Sequence, residues 1–209
     1  EHNETYAGPY HGQGGPLTVA EVKQPSSMNR RFLQSAQNAG LPLINDYNVP
    51  EPYGAFMYQV TQKYGERCSA AKAYLTPHRS RPNLTIVTGA LIKRVLLEDR
   101  KAVGALASID GMDVVLTARR EVILSAGAFG SPQILQLSGI GSGTLLQSKG
   151  IHLVHELPGV GENLQDHIDY VFTYRTNADT DTFGLSMRGS LRVLQGMNQW
   201  HKQRTGMLT

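Results

Sequence analysis

Glu121-Val122-Ile123-Leu124-Ser125-Ala126-Gly127-Ala128-Phe129-Gly130-Ser131-Pro132-Gln133-Ile134-Leu135-Gln136-Leu137-Ser138-Gly139 is the segment that carries the fold assignment. Its first five residues have an apolar core and predict a strand covered on both faces. Ala126, Gly127 and Ala128 are small and leave the backbone free to bend. Ser131-Pro132 predicts a helix start, because proline loses nothing at the first helical position, where the N–H has no partner in any case. The helix is expected over Gln133 to Ser138, with Gly139 supplying the left-handed stop. Strand, small-residue bend and helix in that order describe an α/β unit.

Upstream, Leu84 to Val87, Leu91 to Leu97, Ala102 to Ile109 and Val114 to Thr117 are β-branched runs separated by turn residues at short intervals. That spacing favours hairpins or a meander over helices. Further upstream, Leu17 to Val22 alternates like a short strand. Ser26 or Ser27 then caps a helix whose Met28, Phe32, Ala36 and Ala39 share one face, with Gly40 as its stop. Ala55 to Thr61 reads as a strand, Lys63-Tyr64-Gly65 as a turn, and Ser69 to Leu75 as a helical run closed by Pro77. Downstream, Thr144 to Lys149 predicts a helix ended by Gly150, and Ile151 to Leu157 and Ile168 to Arg175 predict strands. Met187, Leu191, Leu194, Met197 and Trp200 fit one face of a last helix.

The 209 residues hold 40% hydrophobic and 18% charged residues, with 22 Gly and 10 Pro, which excludes collagen, a disordered chain and a coiled coil. No apolar run approaches the roughly 18 to 20 residues that span a bilayer. Glu1-His2-Asn3-Glu4 lacks the basic and apolar regions of a signal peptide. Twenty Lys and Arg against 17 Asp and Glu give a net charge of +3. The basic residues are scattered and not interleaved with aromatics, so no nucleic-acid groove is expected. One cysteine, Cys68, excludes an intramolecular disulfide and a four-cysteine zinc site. Arg67 before it and Ser69 after it could activate a thiolate; a small buried filler is the alternative.

No G-x-G-x-x-G opens a helix, and neither G-x-S-x-G nor a P-loop occurs. His152 and His155 would point to opposite faces of a strand and share no metal. Asp166-His167 with Asp169 could form an acid and base pair, or simply order a loop. Asn3-Glu4-Thr5 and Asn83-Leu84-Thr85 match glycosylation sequons.

Gly127 to Gly141 as one string resembles the second signature of the glucose-methanol-choline (GMC) oxidoreductases, FAD enzymes that oxidise alcohols. The small, Ser131-Pro132, paired aliphatic and Ser138-Gly139-Ile140-Gly141 positions are all filled. Gly65 to Leu75, Arg81 to Ile92 and Leu157 to His167 agree with the same family in order and spacing. The likeness is to the branch of bacterial choline dehydrogenases and aliphatic alcohol dehydrogenases.

The resemblance implies an α+β fold: an α/β FAD-binding part plus a substrate-domain part of a GMC-type flavoprotein, incomplete as a fold. It implies a substrate-domain segment over 1–74, part of the FAD-binding domain over 75–161, and a second substrate-domain segment over 162–209. Ile92 would offer its backbone to the adenine. Ala126 and Gly127 would close over the adenosine half of FAD, and Ser131 would start the helix whose N-terminus faces it. Gln165, Asp166 and His167 would order the loop returning toward the cofactor. The family's glycine loop and its C-terminal His with His or Asn pair do not occur in these residues, so no catalytic residue and no metal ligand is assigned.

The activity implied is oxidation of choline or another primary alcohol to an aldehyde by hydride transfer to flavin, with quinone or oxygen as an unidentified acceptor. The chain is expected to be an internal piece of that enzyme, inactive alone, from a cytoplasmic protein associated at most with the inner face of the membrane. The competing reading is a non-catalytic binding or scaffold module that keeps the GMC fold.

Overall fold

The computed structural model describes residues 1–173, 186–206 and 208–209. In chain order the elements are β1 (His2–Asn3), β2 (Thr18–Glu21), α1 (Ser27–Asn38), β3 (Gln59–Val60), β4 (Gln62–Lys63), β5 (Glu66–Arg67), a π-helical turn (Ala71–Leu75) running into a 3-10 turn (Thr76–His78), β6 (Ala90–Glu98), β7 (Lys101–Ile109), β8 (Met112–Thr117), α2 (Gly127–Leu137), β9 (Ile140–Gly141), α3 (Gly143–Ser148), β10 (His155–Glu156) and α4 (Met187–Gln203). The chain divides into two compact units, residues 86–173 and residues 1–85 with 174–209.

In the unit that contains the N-terminus, β1 runs parallel to β2 and β2 antiparallel to β3. Asn3 organises this corner. Its Oδ1 accepts the N–H groups of Thr5 and Tyr6 at 3.0 and 2.9 Å, and its Nδ2 donates to Gln59 Oε1 at 2.8 Å. Nδ2 also lies 3.2 Å from His11 Nδ1, while His11 Nε2 meets Asp46 Oδ2 at 2.8 Å. Asn3 and His11 are buried, so these bonds replace the water both side chains have lost. The sequon at Asn3 is therefore spent inside the fold, whereas Asn83 is exposed.

Burial pushes the Asp46 carboxyl up, but the bonds from His11 and the Asn48 N–H hold it below the usual range. The Tyr6 hydroxyl is raised by burial and by the neighbouring Glu21 charge.

In the same unit β4 and β5 form a hairpin around Tyr64 and Gly65, at φ 54° and 71°. Both central residues in left-handed backbone is the turn that suits strand twist. Ser26 caps α1 by accepting the Asn29 N–H, and Ser186 caps α4 by accepting the Gly189 N–H.

Residues 86–173 build on the meander β6-β7-β8, antiparallel throughout. Its turns, Asp99-Arg100 and Asp110-Gly111, all lie at positive φ, again the tight hairpin geometry. Val95 and Ala107 form its buried centre. Helix α2 lies on β6, and β9 and β10 pair in parallel after it. Leu146 of α3 is 1% exposed, and the Glu156 carboxylate accepts the Gly143 N–H at the start of α3 at 2.9 and 3.1 Å.

Several expected elements are absent or displaced. Glu121 to Ser125 and Leu84 to Val87 form no strand, and Ile123 is 75% exposed. A strand exists only where a second backbone accepts its ladder, and among the described residues none lies alongside these runs. The run expected from Ile168 to Arg175 is not a strand through Thr173, and its last two residues lie outside the described ones. The strand expected at Ile151 to Leu157 is reduced to β10, and that at Ala55 to Thr61 to β3. Helix α2 begins at Gly127, so Pro132 is internal, and Pro77 lies within the 3-10 turn. On α1, Leu33 is half-buried and Phe32 is 62% exposed. On α4 the packed positions are Gly189, Val193, Gly196 and Trp200, while Met187, Leu191, Leu194 and Met197 face outward.

Candidate cofactor site

The bend into α2 is built from residues without bulk. Gly127 sits at φ 81°, a conformation that costs an L-residue about 1–2 kcal/mol, and a Cβ built there meets nothing within 4 Å. Glycine is thus favoured by the backbone, and the space beside it is open. The Ala126 N–H donates to Ser131 Oγ at 3.0 Å, which fixes the bend against the helix that follows it. Ser131 therefore closes the first turn from within, five residues after the bend. Gly127, Ala128 and Phe129 have no intrahelical acceptor for their N–H groups, and the first turn carries no acidic residue to neutralise the dipole.

This helix start lines a cleft of about 520 Å³ together with Gly159, Val160, Gly161, Glu162 and Leu164. Gln136 donates its Nε2 to the Val160 carbonyl at 3.0 Å, which holds the Gly159–Leu164 loop beside the helix. At the other end of α2, the buried Ser138 hydroxyl donates to the Ile134 carbonyl at 2.6 Å and accepts the Val95 N–H of β6 at 2.8 Å. Gly139 follows at φ 83°; a Cβ there would come within 2.5 Å of the His152 carbonyl oxygen. The Ser138-Gly139 pair thus fixes both the strand edge and the chain exit.

Of the residues singled out from sequence, Ala126, Gly127 and Ser131 come together at the head of α2. Ile92 lies half-buried on β6, at the β-bulge between Ile92 and Arg94, in the same unit. Gln165, Asp166 and His167 follow the cleft-lining Leu164 and are all exposed. The Asp166 carboxylate accepts the His167 backbone N–H at 2.8 Å, a local loop bond and not an acid–base pair between side chains. His152 and His155 are exposed, and among the described residues no group of three His, Cys, Asp or Glu is arranged to hold a metal. Cys68 is a buried small residue, 3% exposed. Sequence reasoning did not anticipate the ties made by Gln136 and Glu156, because glutamine and glutamate at those spacings also suit an exposed surface.

A left-handed glycine with free space beside it, unpaired N–H groups and an adjoining cleft fit one edge of a large anionic nucleotide, and so fit FAD in part. The family model described as GMC oxidoreductase matches residues 2–169. The alcohol dehydrogenase (acceptor) of Pseudomonas putida is 41% identical over 212 residues, covering 100% of this chain and 38% of that protein. The oxygen-dependent choline dehydrogenase of Pseudomonas entomophila is 44% identical over 170 residues, covering 79% of this chain and 30% of that protein. An FAD-dependent oxidoreductase from Chaetomium thermophilum superposes with a TM-score of 0.80 at 28% identity, covering 98% of this chain and 36% of that one.

The superposition gives the chain the mixed α+β fold of part of an FAD-dependent oxidoreductase. The chain belongs to the GMC oxidoreductases. It spans about a third of the length of the relatives it matches. Among the described residues no helix is long and apolar enough to cross a membrane.

Proposed function

We propose that the chain is a segment of an FAD-dependent enzyme that oxidises a primary alcohol, choline or an aliphatic alcohol, to the aldehyde. The observation that carries this is the Ala126–Gly127 bend, open on the side where a Cβ would stand and leading into a helix with an uncompensated positive end. The 41% identity to an alcohol dehydrogenase across the whole chain supports the same reading.

Bound FAD supplies the hydride acceptor. The chain's own part is placement. The first turn of α2 offers N–H groups and a small-residue surface to the nucleotide, Ser131 fixes that turn, and Ile92 presents backbone on β6. Gln165, Asp166 and His167 order the loop that leaves the cleft. The residues around α2 belong to an FAD-binding part, about 75–161, and the flanking segments to a substrate domain. No residue here is assigned the alcohol's proton.

The test is a protein that carries these 209 residues with the in-frame sequence on both sides. It should hold flavin and reduce an artificial electron acceptor with a primary alcohol from a panel containing choline and straight-chain alcohols. The 209-residue chain purified alone should show neither flavin absorbance nor turnover. An extended protein without flavin or activity would favour the binding or scaffold module.

A further inference from the structure

Helix α4 is held to its unit by one side only. Gly189, Val193, Gly196 and Trp200 face the fold, and Gly189 and Gly196 are buried. Trp200 Nε1 donates to the Gly65 carbonyl of the β4–β5 hairpin at 2.8 Å, which sets the rotation of the helix about its own axis. The Arg204 guanidinium lies 4.1 Å from the centre of the Trp200 ring and bonds Glu66, so the C-terminal end is closed on the same side.

The opposite side is thereby turned to solvent. Met187, Leu191, Leu194 and Met197 are 91, 56, 62 and 53% exposed. Their spacing places them along one side of the helix, over a length of about 15 Å. Ser190, Asn198 and His201 stand among them, and Arg188 and Lys202 lie along one border, all exposed. From Ser186 to Thr209 the sequence contains Arg188, Arg192, Lys202 and Arg204 and no Asp or Glu. The outward face thus combines an apolar stripe with positive charge, and its own segment supplies no negative counterpart.

We propose that this face of α4 docks on an anionic lipid surface, with the helix lying in the plane of that surface. Leu191, Leu194 and the two methionines enter the boundary between headgroups and acyl chains, where a helix of this kind gains from apolar burial and from anionic lipid together. Arg188 and Lys202 bury their stems beside the stripe and bring their charges to headgroup phosphates. Ser190, Asn198 and His201 keep their hydrogen bonds there, because the headgroup layer is wet. A protein covering the same face would have to supply acceptors for those side chains and carboxylates for the cations. Helix α4 lies in the unit that does not contain the α2 bend, so the proposal is independent of the cofactor reading.

The experiment uses the protein extended in frame on both sides and co-sediments it with vesicles of phosphatidylcholine alone or mixed with phosphatidylglycerol. Binding to the mixed vesicles that weakens as sodium chloride is raised is expected, with little binding to phosphatidylcholine alone. Leu191→Gln with Leu194→Gln changes two outward side chains, and circular dichroism checks that the fold is kept. The pair should weaken binding by more than about tenfold. Lys202→Gln should weaken it about fivefold, the scale of one basic residue at an anionic surface, and Lys202→Arg should restore it. Failure to bind the mixed vesicles, equal binding to both vesicle types, or unchanged binding by the double leucine variant would overturn the proposal. A dimer in solution that the double leucine variant dissolves would overturn it in favour of a second copy of the chain. Flavin content and alcohol turnover, measured without vesicles on the same preparation, keep either failure separate from that of the enzyme reading.

Discussion

Ser138→Ala removes one oxygen atom and tests how α2 is held to the meander. In the wild type that oxygen accepts the Val95 N–H from the outer edge of β6, where among the described residues no strand pairs, and Val95 is 7% exposed. Alanine leaves this donor buried without a partner, a loss of about 1–3 kcal/mol. The Ile134 carbonyl suffers less, since it also accepts the Ser138 backbone N–H at 3.0 Å. A total near 2 kcal/mol follows, and for a unit the size of residues 86–173 each kcal/mol moves Tm by about 4–8 °C. The melting transition of that unit should therefore fall by roughly 8–16 °C, read by circular dichroism or differential scanning calorimetry. Ser148→Ala is the control: its hydroxyl donates to the Leu145 carbonyl at 2.7 Å on the exposed side of α3 and should matter by about 0.5 kcal/mol or less. Equal melting of the two variants would refute the assignment of Ser138 as the tie between helix and sheet.

Gly139→Ala should destabilise by about 2 kcal/mol or more, because left-handed backbone and contact with the His152 carbonyl act together; urea denaturation measures it, and a neutral result would contradict the geometry. His11 should be the Nε2–H tautomer: Asn3 Oδ1 is committed to two backbone N–H groups, so Nδ2 faces the ring and Nδ1 must accept. Imidazole 15N shifts report this, and a protonated Nδ1 in the neutral ring would rule it out. The Lys72 hydrogen bond and charge, then the Arg204 charge, hold the Glu66 carboxyl below its ordinary 4.5. Its stabilisation is full above that value and disappears as pH falls through the lowered pKa, so Glu66→Gln should flatten the acid limb of the stability profile below about pH 4.5. An unchanged limb would show that the pairing contributes nothing.

The meander was legible because each strand's partner lies next to it in sequence. The Asp99-Arg100 and Asp110-Gly111 turns sit between β-branched runs, and local sequence specifies local pairing. Glu121 to Ser125 misled for the complementary reason: its apolar run says that the segment prefers cover, and nothing about which backbone provides it. The start of α2 was read four residues or more too late because Ser131-Pro132 resembles a helix opening, whereas Ser131 reaches back to Ala126 across a first turn already formed. The outward stripe of α4 was misjudged on hydropathy alone. Its packed positions Gly189 and Gly196 are small residues, which allow close approach that no hydrophobic count detects. At the site, the Ala126, Gly127 and Ser131 group was visible because small-residue and capping chemistry is local. The Gln136–Val160 and Ser138–Val95 ties join segments 24 and 43 residues apart and carry no sequence signal.

Flavin content of a Gly127→Val variant, made in the protein extended on both sides, measures the role of the α2 bend most directly. The wild type should purify with FAD in stoichiometric amount, and the variant should fold yet lose most of it, since valine both resists the left-handed turn and fills the space beside it. A variant that retains its full flavin with unchanged affinity would show that the cofactor does not lie against this part of the chain.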